Sequence, residues 1–276
     1  MSFQRALIAT VFALAAGPAM AAPAQPPPIQ PGASAPAAAT APTPPPMPTK
    51  ATPEQRAEAE RLGPLARATF WAREVDVDPT DFDARLKLAK ALRALGKFDE
   101  AAAAADQLLV IQPNNLEALL ESARARVASN QGFYAIDDAE RAEALAPRDW
   151  RPVALLAIAL EQSDRDADAL AAHQKALSLA PENPATLSNL GMYYATHGDP
   201  ASAEPLLRRA VAAPGATAQE RQNLALVLGL EGKMDEATEL ERRDLPPDVV
   251  QNNLAYLRAA VDPPAPRTWD SLRASQ

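Results

Sequence analysis

The stretch FDARLKLAKALRALGKFDEAAAAADQLLVIQPNN, residues 82–115, decides how the rest of the chain reads. From Phe82 to Leu95 apolar side chains recur at helical spacing, with Leu88 and Leu92 four apart and so on one face. Gly96 can adopt the left-handed conformation that ends a helix. A second helical run starts near Phe98 or Asp99 and puts Ala101, Ala105 and Leu108 on one stripe. Pro113 closes it, because proline has no amide hydrogen to continue the helix. The stretch is thus predicted to be two short helices joined by a tight turn.

The same pattern returns every 34 residues. Ala101, Ala135, Ala169, Ala203 and Ala237 form one column, and Pro79, Pro113, Pro147 and Pro181 form another. Twelve residues before each alanine stands a second small residue: Ala89, Ala123, Ala157, Gly191 and Ala225. Just ahead of these lie Leu88, Ser122, Leu156, Leu190 and Leu224. Small residues belong where the two helices of a unit approach closely, and proline where the second must stop. A period of 34 with this content resembles the tetratricopeptide repeat. The implied fold is all-α, a right-handed α-solenoid of helix-turn-helix units with a C-terminal capping helix. Gly198 and Gly232 mark the turn of the fourth and fifth units, while Asn130 and Asp164 stand in its place in the second and third. Arg126 replaces an expected apolar residue, and Pro214 sits one position early. The expected organisation is a degenerate N-terminal helical pair over 53–81, five units over 82–247, and a capping helix over 248–262. That last helix should turn Val250, Leu254, Leu257 and Val261 inward, since a terminal repeat must hide its apolar face.

The N-terminus reads as an export signal. Arg5 precedes the apolar run Ala6 to Ala16, followed by Gly17-Pro18 and the small-x-small sequence Ala19-Met20-Ala21. This is the pattern of a secretory signal peptide over 1–21, too short to span a membrane. Cleavage would remove Arg5 and take the formal net charge from -8 to -9. The mature protein is expected in the periplasm, possessing no further transmembrane segment, and an acidic chain of this kind does not suit nucleic acid. Residues 22–52 are dominated by proline and alanine and cannot form a core, so they are expected to be a disordered linker. A flexible tail is expected over 263–276, with Trp269 and Leu272 as a docking segment. The chain has no cysteine. Stability must then come from helix packing, and acylation of an N-terminal cysteine is excluded, so a lipoprotein is not expected.

Catalysis finds little support in the sequence. His173 occupies a position held by Ala105, Ala139 and Leu207 in other units, which makes it a packing residue. His197 adjoins the Gly198 turn, where a solvent-facing helix-end imidazole favours the dipole. Two histidines on different units and no cysteine argue against a metal site or a Cys-His nucleophile. Asp99-Glu100, Asp137-Asp138 and Asp235-Glu236 read as the openings of second helices, where negative charge complements the dipole. No phosphate loop or nucleophile elbow occurs. Neither an enzyme nor a cofactor is expected, and the helical units leave no room for a second domain.

The resemblance to tetratricopeptide proteins implies a concave face lined mainly by first helices. Carried onto this chain by register, it selects Leu86, Lys90 and Arg93 in the first unit and Leu120 and Arg124 in the second. Arg151, Ala154 and Ile158 follow from the third unit, Ser188 and Met192 from the fourth, Gln222 and Leu226 from the fifth. This is a groove with a basic N-terminal half and an apolar C-terminal half, suited to a peptide with an acidic end and an apolar end. Leu86, Leu120 and Ile158 can equally serve as packing between neighbouring helices. Replacing Lys90, Arg93 and Arg124 by glutamate is expected to abolish partner capture with helical content intact.

A narrower resemblance lies at the C-terminus, in Glu241-Arg242-Arg243-Asp244-Leu245-Pro246-Pro247 and Asn252-Asn253-Leu254-Ala255-Tyr256-Leu257-Arg258, with Asn223-Leu224-Ala225-Leu226-Val227-Leu228-Gly229-Leu230 before them. These segments resemble the TadD family of tight-adherence (Flp-type) pilus assembly. The resemblance implies a periplasmic factor that helps assemble a secretin and pilus machinery or a type II-like secretion system. Its partners would be secretin or pilus components, reached at the outer membrane through such a partner. The alternative is a general cell-envelope adaptor in cell-wall synthesis or outer-membrane protein assembly.

Overall fold

The structure is a computed structural model and describes residues 49–261. The expected signal peptide, most of the linker and the tail with Trp269 and Leu272 lie outside the described residues. Within them the chain forms helices and turns only. A pair α1 (Pro53–Ala59) and α2 (Pro64–Val77) precedes five units. Unit one is α3 (Phe82–Ala94) and α4 (Phe98–Ile111), and unit two is α5 (Leu116–Ala128) and α6 (Gly132–Leu145). Unit three is α7 (Trp150–Gln162) and α8 (Asp166–Leu179), and unit four is α9 (Pro184–Thr196) and α10 (Pro200–Ala212). Unit five is α11 (Ala218–Leu230) and α12 (Met234–Glu241), followed by α13 (Pro247–Val261). Each helix packs against the next, and each first helix also touches the first helix of the adjoining unit.

Two residue series at the 34-residue period cut the chain into these helices. Asp81, Asn115, Asp149, Asn183 and Thr217 are the N-caps of the five first helices, and each side chain accepts a hydrogen bond from a backbone amide of the first turn. Such a cap contributes about 1 kcal/mol by satisfying an amide that has no partner inside the helix. Gly96, Asn130, Asp164, Gly198 and Gly232 occupy the turn between the two helices of each unit. All five have positive φ, from 57° at Asp164 to 82° at Gly198. Asparagine and aspartate are the non-glycine residues that enter the left-handed region at least cost. Their substitution for glycine therefore leaves the turn unchanged.

The columns of small residues are the core. Ala101, Ala135, Ala169, Ala203 and Ala237 are fully buried, as are Ala89, Ala123, Ala157 and Ala225. At Gly191 an added Cβ would lie 2.9 Å from Leu207 Cγ, so the column needs glycine there unless Leu207 moves. At the N-terminal end Trp71 is fully buried. Lys87 Nζ lies 4.6 Å from its ring centroid, a cation-π placement that covers the indole face.

Several local expectations are corrected. Asp137 and Asp138 do not open a helix, because α6 already begins at Gly132. Asp138 is instead buried against Arg126 and Arg141. Val250, Leu254 and Leu257 turn inward as expected, but Val261 is exposed at the end of α13. The chain expected as linker joins the fold at its last residues: Lys50 pairs with Asp78 and Asp81, and the Ala51 amide donates to Glu74. His197 is only partly exposed, since its ring stacks on Tyr193 with centroids 4.0 Å apart.

Candidate protein-binding groove

The first helices carry a line of polar links from unit to unit, and five of the twelve sequence-selected residues belong to it: Lys90, Arg93, Arg124, Arg151 and Ser188. Arg93 of α3 donates from Nε to Glu121 of α5 at 2.5 Å. Glu121 is fully buried, and Arg124 stands 3.6 Å from its other oxygen. Lys90 lies 3.7 Å from Glu117, which also receives Arg151 Nη1 at 2.9 Å. Arg151 in turn clasps Asp149, with Nε and Nη2 at 2.8 and 2.6 Å from Oδ2. That clasp holds the Asp149 carboxyl below its usual range and raises the Arg151 guanidinium. A lone buried carboxylate would be costly, so Glu121 needs its two arginines.

Units one to three thus present four cations over three carboxylates. Lys90 is 43% exposed and Arg151 36%, while Glu121 is buried and Asp149 only 18% exposed; Glu117, at 39%, is as open as the cations it joins. The expected basic half of the groove is therefore a mixed surface whose cations are largely compensated by the carboxylates they hold. Arg93 and Arg124 hold a buried charge, so turning both into glutamate would disrupt the junction of α3 and α5. For the triple glutamate variant, disruption at this junction is therefore expected beside any loss of partner capture.

The later units differ. Between units three and four Thr196 Oγ1 donates to Glu161 at 3.1 Å. Asn223 Nδ2 donates to Ser188 Oγ at 2.8 Å in a buried link between α9 and α11. Leu86, Ile158, Met192 and Gln222 are half-buried and reach the surface. Leu120, Ala154, Ser188 and Leu226 are buried. Leu120 and Leu226 pack within the array, so their side chains offer a partner almost no surface.

Sequence reasoning missed Glu117, Glu121 and Asp149. A signal for them exists: Lys90 and Glu117 are 27 residues apart, and Arg93 and Glu121 are 28 apart. Those separations bring facing positions of successive first helices together when the period is 34. Among the described residues no cluster of histidine, aspartate and glutamate could hold a metal ion, and no helix is long and apolar enough to cross a membrane.

Comparison with known proteins agrees with this architecture. Two tetratricopeptide-repeat family models match, one over residues 82–125 and one over 185–213. No curated protein sequence matches the chain. Among solved structures, a tetratricopeptide-repeat protein from Parabacteroides merdae aligns with a TM-score of 0.63 at 15% identity, over 75% of this chain and 86% of that one. A thermophilic tetratricopeptide-repeat protein from Thermus thermophilus aligns at 0.58 and 24% identity, over 64% and 98%. MamA (41-end) from Desulfovibrio magneticus aligns at 0.51 and 22% identity, over 58% and 90%. At these identities the likeness speaks for the fold alone. Repeat register, the family models over these two segments and the structural likeness agree on the fold, an α-solenoid of tetratricopeptide-like helix-turn-helix units.

Proposed function

We propose that this protein is a non-enzymatic scaffold of the cell envelope that binds a protein segment along its first-helix face. The observation that carries this reading is the row of Lys90, Arg93, Arg124 and Arg151 fixed in place by Glu117, Glu121 and Asp149. A partner's acidic side chains would meet guanidinium and ammonium groups already held in place, which lowers the entropy cost of binding. Beyond this half, Ile158 and Met192 offer apolar surface for the other end of the same segment. The sequence pattern of residues 1–21 supports export to the periplasm. The C-terminal resemblance to the TadD family supports tight-adherence pilus or type II-like secretion assembly as the process, with a secretin or pilus subunit as the partner.

The test is affinity capture with residues 22–276 from envelope extract, with Lys90→Glu and Ile158→Glu as groove variants. Neither residue holds a buried charge. Capture of a secretin or pilus component that both variants weaken is the expected result. Capture of cell-wall or outer-membrane assembly factors would move the protein to a general envelope role. Unchanged capture by the variants would move the site off this face.

A further inference from the structure

Three exposed apolar side chains share one edge of the solenoid, the edge where each unit passes to the next. Val110 is 81% exposed and Ile111 54% at the end of α4, and Leu145 is 44% exposed at the end of α6. Ile111 and Leu145 hold the same register position, and Val77 is their counterpart at the end of α2. One tie joins the two exposed ends. Arg141, one turn before Leu145, donates from Nη2 to the carbonyl of Pro113, two residues after Ile111, at 2.6 Å. In units three and four the same position shows little bulk to solvent, since Leu179 is half-buried against the core and Ala213 is buried.

The chain enters the fold on this same edge. Lys50 pairs with Asp78 and Asp81 in the loop after α2, next to Val77, and the Ala51 amide donates to Glu74. Before Lys50 no charged residue occurs back to Arg5. The sequence PAAATAPTPPPMPT, residues 36–49, is patterned when read at three residues per turn, the period of polyproline II. Thr40, Thr43 and Thr49 then fall on one face. Pro36, Ala39, Pro42, Pro45 and Pro48 make up the second face, and Ala38, Ala41, Pro44 and Met47 the third. Every polar side chain of the stretch is thus on one side, and the other two sides are wholly apolar.

We infer that residues 36–48 dock on the solenoid's own inter-unit edge as a polyproline II strand, apolar faces against Val110, Ile111 and Leu145 and threonine face outward. The length fits. Two units of at most two helix spacings each, about 8–10 Å a spacing, put Leu145 at most ~40 Å from Val77. At roughly 3.1 Å per residue about 13 residues of polyproline II span that distance, and counted back from Lys50 they begin near Ala37. Docking removes apolar surface from water on both sides. It desolvates no charge, because the segment has none, and a strand already extended by its prolines loses little entropy when it is held.

The chain has no cysteine, so Thr40→Cys on the outward face and Arg148→Cys, exposed in the loop after α6, give a unique pair of spin labels. Pulsed electron resonance on the full chain, diluted into unlabelled protein, reads the distance between them. A single narrow, short distribution is expected. Pro42→Glu/Pro45→Glu should broaden and lengthen it, as should Ile111→Gln/Leu145→Gln, while Thr43→Glu should leave it unchanged. Pro42 and Pro45 precede α1, so the first pair tests the docking even if the solenoid does not tolerate the second. A broad wild-type distribution would overturn the docking. A narrow one that survives either pair of substitutions, or that Thr43→Glu abolishes, would overturn the placement of the apolar faces. A short distance that appears only between separately labelled chains would overturn the assignment to the chain's own segment and give the edge to a second copy.

Discussion

Units one to three and units four to five build the same architecture from different materials. In the first region the seam between units two and three is alanine against alanine, Ala139 and Ala159 in one buried cluster, and the first helices are tied by arginine, lysine and buried or half-buried carboxylates. In the second the seam is Leu207 against Val227, both fully buried, and the link between first helices is the neutral Ser188-Asn223 pair. The difference teaches that the 34-residue register specifies where helices meet, not what holds them. Alanine packing with ionic ties between first helices serves in one region; bulky apolar burial serves in the other, where the ionic ties run between the units outside the first helices, from Arg208 to Glu236 and from Lys233 to Glu204.

Four substitutions break or sharpen that contrast, in order of expected effect. Leu207→Ala empties the apolar seam and should cost about 2–5 kcal/mol in urea unfolding; a loss under about 1 kcal/mol would mean that α10 and α11 are held by something else. Ala139→Leu forces a large side chain into an alanine seam and should cost about 1–3 kcal/mol. If it were tolerated, the close packing of units two and three would not depend on residue size.

Arg93→Ala leaves the buried Glu121 with Arg124 alone, and about 1–3 kcal/mol of destabilisation is expected, discounted for the partial exposure of both arginines. Glu121→Gln, made together with it, should recover part of that loss, because the unpaired charge is gone. A double variant no better than the single one would show that Arg93 acts through packing.

The smallest effect concerns two carboxylates three residues apart at the C-terminal end. Arg221 holds the Asp244 carboxyl below its usual range. Burial pushes Glu241 up, while Asn253 Nδ2 donates to its Oε1 at 3.3 Å. Folded Glu241 thus holds its proton more tightly than the unfolded chain does, so ionising it costs stability that returns as pH falls through its folded value. Glu241→Gln should raise the melting temperature slightly near pH 7, by less than about 1 kcal/mol of stability, and flatten the slope between pH 7 and the carboxylate range. An unchanged slope would assign the pH dependence to another group, with buried Asp138 next in line because burial raises it too.

How much of this was legible in the sequence follows from what each feature depends on. The helices, the turns at Gly96, Asn130, Asp164, Gly198 and Gly232, and the buried alanine columns depend on local periodicity and on one repeat length. The packing role of His173 was visible because the other units place alanine or leucine at its position. The carboxylates that hold the groove cations were not visible, because position within a unit was read one unit at a time and ion pairs form between units. Asp137-Asp138 was misplaced by analogy with Asp99-Glu100, although the two pairs occupy different positions in the register. The clasp of Lys50 and Ala51 depends on Glu74, Asp78 and Asp81, which a composition rich in proline and alanine gives no means of foreseeing.

The central claim is that a protein partner lies along the first helices, and site-specific photo-crosslinking in living cells tests it most directly. A photoreactive residue at Lys90, Ile158 or Met192 samples the groove, and one at Glu140 or Gln174 samples the outer face of second helices. The account predicts adducts with one protein partner from the groove positions and none from the outer ones. Adducts confined to Glu140 and Gln174 would contradict it.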